Sequence, residues 1–81
     1  MKVIAIDDEP IALEIVKRYC ERIGGIDLET YSSPSIGMKR IRECHPDVVF
    51  LDIEMNSTSG IELAKQLPPS CCLICTTAYA H

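Results

Sequence analysis

Val48-Val49-Phe50-Leu51-Asp52 is the stretch on which the reading of the fold turns. Four consecutive apolar residues, rich in β-branched and aromatic types, suit a strand covered on both faces, as in a parallel sheet. His45-Pro46-Asp47 breaks the chain just before the run, and a carboxylate closes it. The only other runs of this kind are residues 2–6 and 71–76. The first, Lys2-Val3-Ile4-Ala5-Ile6, also ends on carboxylates, Asp7 and Asp8, with Glu9 next. The second, Cys71-Cys72-Leu73-Ile74-Cys75-Thr76, ends against Thr77.

Between these runs the periodicity changes to that of helices. Pro10 fits the first turn of a helix, where its missing N–H is no loss. Ile11, Ile15, Val16, Tyr19, Cys20 and Ile23 then recur at helical spacing and predict one buried face. Gly24 and Gly25 stop that helix. Residues 26–31 alternate apolar and polar, which predicts a half-exposed strand near an edge of the sheet. Ser33-Pro34 caps and starts a second helix, carrying Ile36, Met38 and Ile41 and running to about Cys44. Asn56-Ser57-Thr58-Ser59 is a polar loop. Gly60 to Leu67 reads as a short helix with Ile61 and Leu63 or Ala64 inward, ended by Pro68-Pro69. Strands alternating with helices build a parallel sheet with helices on both faces, a three-layer α/β/α arrangement. No linker, repeat or second domain interrupts residues 1–81.

Composition narrows the function classes. The chain has 81 residues, 47% of them hydrophobic and 25% charged, and a net charge of −4. It has no basic run with which to neutralise phosphates, so direct nucleic-acid binding by this segment is not expected. No apolar stretch approaches the roughly 20 residues that cross a bilayer. The N-terminus has no export signal, which points to the cytoplasm and to reduced cysteines. Cys72 and Cys75 have C-x-x-C spacing, but on a strand positions i and i+3 face opposite ways. Core packing is therefore preferred to a thiol or metal module. His45 and His81 carry no expectation.

In an open parallel sheet, ligands bind beyond the carboxyl ends of the strands. Asp7 and Asp8 end the first strand and Asp52 the third. If those strands are neighbours, as in a flavodoxin-like order, three carboxylates converge. Like charges at such separations raise one another's pKa values, and a divalent cation removes the penalty. Oxygen donors with no converging His or Cys favour a hard ion such as Mg²⁺. Carboxylates around such an ion suit phosphoryl transfer, with one of them attacking. Each aspartate alone is equally a helix cap or turn residue, and Thr76 and Thr77 are equally ordinary strand residues. Glu9 reads as a solvated loop residue.

Taken together, Ile4-Ala5-Ile6-Asp7-Asp8-Glu9-Pro10, His45 through Met55, Ser59-Gly60 and Thr76-Thr77-Ala78-Tyr79 resemble the receiver (CheY-like) domain of two-component response regulators. The resemblance covers essentially the whole chain. It implies that Asp52 is the phosphoacceptor, that Asp8 binds Mg²⁺ directly and that Asp7 binds it mainly through water. It also implies that Glu54 gives its backbone carbonyl to the metal, and that Thr77 is the switch hydroxyl. The implied donor is a sensor histidine kinase, and any DNA binding would belong to a C-terminal output domain. The wording around Asp7–Pro10 and Thr76–Tyr79 is similar to regulators with a LytTR-type output. Two departures stand out. Asn56 holds a place where the family has proline. The chain also has no counterpart of the family's fourth helix, its lysine-ending fifth strand or its fifth helix, which makes residues 1–81 a partial domain of four strands and three helices. The fourth strand would then be an apolar, uncharged edge, for which dimerisation, aggregation or partial disorder is expected. Two other readings compete. One is a pseudo-receiver serving as an interaction module. The other is a phosphatase with an aspartate nucleophile, a class that wants a second aspartate where this chain has Glu54.

Overall fold

In a computed structural model of the chain, residues 1–52, 62 and 64–76 are described, the last two of these by backbone alone. Four strands form one parallel sheet: β1 (Lys2–Ile6), β2 (Asp27–Tyr31), β3 (Val48–Asp52) and β4 (Cys72–Thr76). The spatial order is β2-β1-β3-β4. The helices are α1 (Pro10–Ile23) and α2 (Pro34–Cys44). Of the stretch predicted as a third helix, Glu62 and Ala64 are helical and the remainder up to Leu63 lies outside the described residues. The α/β, flavodoxin-like expectation holds, with β2 at an edge as its alternation implied.

Of the three apolar runs, residues 2–6 and 48–52 became the inner strands, where both faces are covered, and the third became β4, the outer strand of the described sheet. Val3, Ile4, Ala5 and Ile6 are all buried. Ile4 and Ile6 share one face with Val49 and Leu51, and α2 covers it with Met38 and Ile41. Tyr31, Cys44, Ala64, Leu67, Cys71 and Leu73 close the margin of this core. On the other face α1 lies over β1 and β2. Asp47 ties the strand entrances together. Its N–H donates to the Lys2 carbonyl (2.9 Å), its carboxylate accepts the Lys2 N–H (2.8 Å), and its carbonyl accepts the Cys72 N–H (2.9 Å).

Helix ends follow local chemistry. Ser33 accepts the Ile36 N–H at 3.5 Å, a long N-cap contact. Gly24, at φ 78°, ends α1 with its N–H on the Cys20 carbonyl. His45 ends α2 in the left-handed region at φ 49°, its N–H on the Ile41 carbonyl. The sequence carried no expectation for this histidine, and Pro46 behind it is fully buried.

Three packing expectations need correction. The six residues of α1 predicted as its buried face do not form one. Only Cys20 is buried and Val16 half-buried, whereas Ile11, Ile15, Tyr19 and Ile23 are 48–72% exposed. At about 3.6 residues per turn those six positions wrap roughly half the helix, more than one sheet face can cover. The side turned inward is Ala12, Leu13, Val16 and Cys20. On α2, Ile36 is exposed, and Gly37 beside it is buried instead. Cys72, expected to pack in the core, is exposed, and Ile74 on the same sheet face is 40% exposed. Neither described helix covers β4 on that face. Cys71 is half-buried, its thiol on the Pro46 carbonyl at 3.2 Å.

The β2 edge is held by charge. Arg40 of α2 grips Glu29 with two N–H donors, at 2.7 and 3.0 Å. Lys2 and the Tyr31 hydroxyl donate to the same carboxylate, and Lys2 also reaches Asp27 at 3.0 Å. Arg40, then Lys2 and Tyr31, hold the Glu29 carboxyl far below its ordinary range. The resulting stability is therefore present above the ordinary glutamate pKa and is lost as pH falls. The core itself is tested by Ile41→Ala. Ile41 is wholly inaccessible, so the truncation is expected to cost about 2–5 kcal/mol, seen as a lower urea midpoint with an unchanged slope.

Candidate functional site

Register builds the site. Ile6 pairs with Leu51 across β1 and β3, so the next residue of each strand, Asp7 and Asp52, emerges side by side at the carboxyl edge. The pairing of Asp52 with Thr76 brings the end of β4 to the same level. One ligand oxygen from each of Asp7, Asp8 and Asp52 lies within 4.8 Å of the others. Asp7 is 8% exposed, Asp52 2%, and Asp8 half-buried.

Two backbone contacts fix Asp7. Its N–H donates to the Tyr31 carbonyl of β2 at 3.1 Å. Its carboxylate accepts the Glu9 N–H at 2.9 Å, an Asx-type turn that leads the chain into α1. Glu9 is exposed, as its reading as a solvated residue implied.

The charged form of Asp7 is disfavoured where it stands. Burial, opposed by the Glu9 N–H and reinforced by the charge of Asp52, pushes the Asp7 carboxyl up to about 6. Three hard oxygen donors with no His or Cys among them fit Mg²⁺ chemically. Mutual repulsion is legible in the sequence; burial is the larger cause, and only the fold supplies it. Glu54 and Thr77, the other two site residues singled out from sequence, lie outside the described residues.

The model of the response regulator receiver domain family matches residues 3–80. An uncharacterised response regulatory protein of Vibrio vulnificus is 42% identical over 67 residues, covering 82% of this chain and 28% of that protein. The transcriptional regulatory protein BtsR of Escherichia coli K12 is 34% identical over 70 residues, 85% of this chain and 29% of BtsR. Among solved structures, a chain from the complex of histidine kinase ThkA with response regulator TrrA superposes with a TM-score of 0.83 at 30% identity, covering 99% of this chain and 71% of that one. The MaeR response regulator bound to beryllium trifluoride gives 0.88 at 22% identity, covering 100% and 70%, which speaks to the fold alone.

A parallel β2-β1-β3-β4 sheet with carboxylates gathered at its carboxyl edge is the architecture of a two-component signalling receiver. The chain belongs to the response regulator receiver domain family. Receiver domains are phosphoacceptor switches rather than classical enzymes, and they generally bind Mg²⁺ at an acidic pocket. The chain spans less than a third of the length of these two curated relatives. Among the described residues no helix is long and apolar enough to cross a membrane.

The raised Asp7 pKa has a testable consequence. Between the ordinary aspartate value and about 6 the folded state holds a proton that the unfolded state has released. Stability from this group is full below the ordinary value and is lost as pH rises toward and through 6. Asp7→Asn is expected to remove that loss, so urea midpoints of mutant minus wild type rise between pH 4 and 7. In saturating Mg²⁺ the wild type should lose less over the same interval.

Proposed function

We propose that Asp52 accepts a phosphoryl group from a phosphohistidine of a sensor histidine kinase. The observation that carries this reading is the register-enforced meeting of Asp52 with Asp7 and Asp8 in a member of the receiver family. An Asp52 oxygen attacks phosphorus, a P–O bond forms, the P–N bond breaks, and the departing imidazole keeps the electron pair. Asp8 and Asp52 would hold Mg²⁺ through side-chain oxygens, Asp7 mainly through water, and Glu54 would offer its backbone carbonyl. When bound, the cation supplies positive charge against the phosphoryl oxygens and the carboxylates. Thr77, the residue after the one paired with Asp52, donates its hydroxyl to a phosphoryl oxygen and reports the modified state. Hydrolysis of the acyl phosphate resets the switch.

The kinase partner is supported by the superposition on a chain from a kinase–regulator complex. Control of transcription is supported by similarity to a transcriptional regulatory protein, and a LytTR-type output by the wording of residues 7–10 and 76–79. Residues 1–81 belong to a single receiver unit as part of it, and the unit works in the cytoplasm, where a kinase's phosphohistidine is met. A second copy pairs along β4, the outer strand of the described sheet, whose sequence lacks charge.

Incubation with acetyl phosphate and Mg²⁺ is expected to add one phosphoryl group to the intact mass. The adduct should be absent from Asp52→Asn and from samples with chelator. A wild-type chain that stays unmodified, while binding Mg²⁺, would replace this reading with a pseudo-receiver. Sedimentation velocity should show a mass that rises with concentration; a constant monomer mass would remove the β4 pairing.

A further inference from the structure

Two thiols come to one margin of the core, on the sheet face that α2 covers. Cys44 is the last residue of α2, and Cys71 stands immediately before β4. Both are half-buried, both pack against the same buried cluster, and both are free. Their chain segments are tied together at this point. The Cys71 thiol donates to the Pro46 carbonyl at 3.2 Å, and only the left-handed turn at His45 separates Pro46 from Cys44. One residue further on, the Cys72 N–H donates to the Asp47 carbonyl at 2.9 Å. Burial, then the charge of a Cys44 thiolate and of Asp47, pushes the Cys71 thiol up, so the two sulfur atoms are electrostatic neighbours.

We infer that Cys44 and Cys71 are a modification site: they form a reversible disulfide when the chain meets a hydroperoxide, joining the end of α2 to the start of β4. The Cys44 sulfur attacks the peroxide and the O–O bond breaks. One oxygen stays on sulfur as a sulfenic acid, and the other leaves as water or an alcohol with the thiol proton. The Cys71 sulfur then attacks the sulfenic sulfur. The S–S bond forms, the S–O bond breaks, and the hydroxyl leaves as water with the Cys71 proton. The thiol pair loses two electrons and the peroxide gains them. Cys71 holds its proton more firmly than an ordinary cysteine, which leaves the first attack to Cys44. In a reducing compartment the pair stays free, and the cross-link forms only while oxidant is present. It closes residues 44–71 into a loop and anchors β4, which pairs only with β3 in the described sheet, to the helix over the core.

The test is peptide mapping of the chain after hydrogen peroxide is added to the folded protein, with remaining thiols alkylated in denaturant. The wild type is expected to lose two hydrogen atoms of mass and to yield one linked peptide pair, Cys44 with Cys71, that dithiothreitol separates. Its urea midpoint should rise on oxidation and return on reduction, because the link constrains the unfolded chain. Cys72→Ser removes the exposed neighbour of Cys71 and should change neither result. Cys71→Ser should leave Cys44 as a sulfenic acid that dimedone captures, and the rise in midpoint should vanish. If Cys71→Ser does not fold, the wild-type map decides alone. Cys44 and Cys71 recovered unlinked after peroxide, or linked to other cysteines or to a second chain, overturns the inference.

Discussion

The parallel pairing of β1 with β3 is the constraint from which the remaining architecture follows. It buries two short apolar strands side by side, where water is excluded from both faces, and it aligns Ile6 with Leu51. A slip of one residue would turn each strand's core face over, exchanging Ile4 and Ile6 for Val3 and Ala5 beneath α2. Register is therefore held by the burial of apolar surface. The level of Asp7 against Asp52 is held with it. The geometry of the acidic cluster is in this sense a by-product of core packing, which is how a small domain can keep mutually repelling carboxylates together.

The opposing energies are visible in the same few residues. Desolvation penalises charge at Asp7, and the Asp52 carboxylate adds to the penalty. The Glu9 N–H returns part of it. The balance leaves the Asp7 carboxyl holding its proton to higher pH than an ordinary aspartate. At the β2 edge the arrangement is reversed. Glu29 is surrounded by Arg40, Lys2 and Tyr31, so its negative charge is satisfied and α2 is drawn onto the strand. One carboxylate group is under strain and another is saturated.

The apolar surface is unevenly covered. Core residues beneath α2 are close to inaccessible, whereas Ile11, Ile15, Tyr19 and Ile23 on α1 and Ile74 on β4 are exposed. The described helices place α1 over β1 and β2 and nothing over β4 on that side. Helical periodicity alone counted the four α1 residues as core. It reports that a face is apolar, but not which part of a wide arc meets the sheet.

Much of this protein was legible without coordinates. Consecutive apolar runs closed by carboxylates gave the parallel sheet, because only a doubly covered strand tolerates such a run. Alternation in residues 26–31 marked the edge strand, and proline and glycine marked the helix ends. Asp7, Asp8 and Asp52 were found by their place at strand ends, since an open parallel sheet presents those ends on one side. The tertiary structure alone decided what depends on distances between segments far apart in sequence. The left-handed turn at His45, the burial of Pro46, the clamp of Arg40 on Glu29 and the inward edge of α1 have no local sequence signal. Each is settled by which surface the sheet brings opposite, and a one-dimensional pattern does not contain that information.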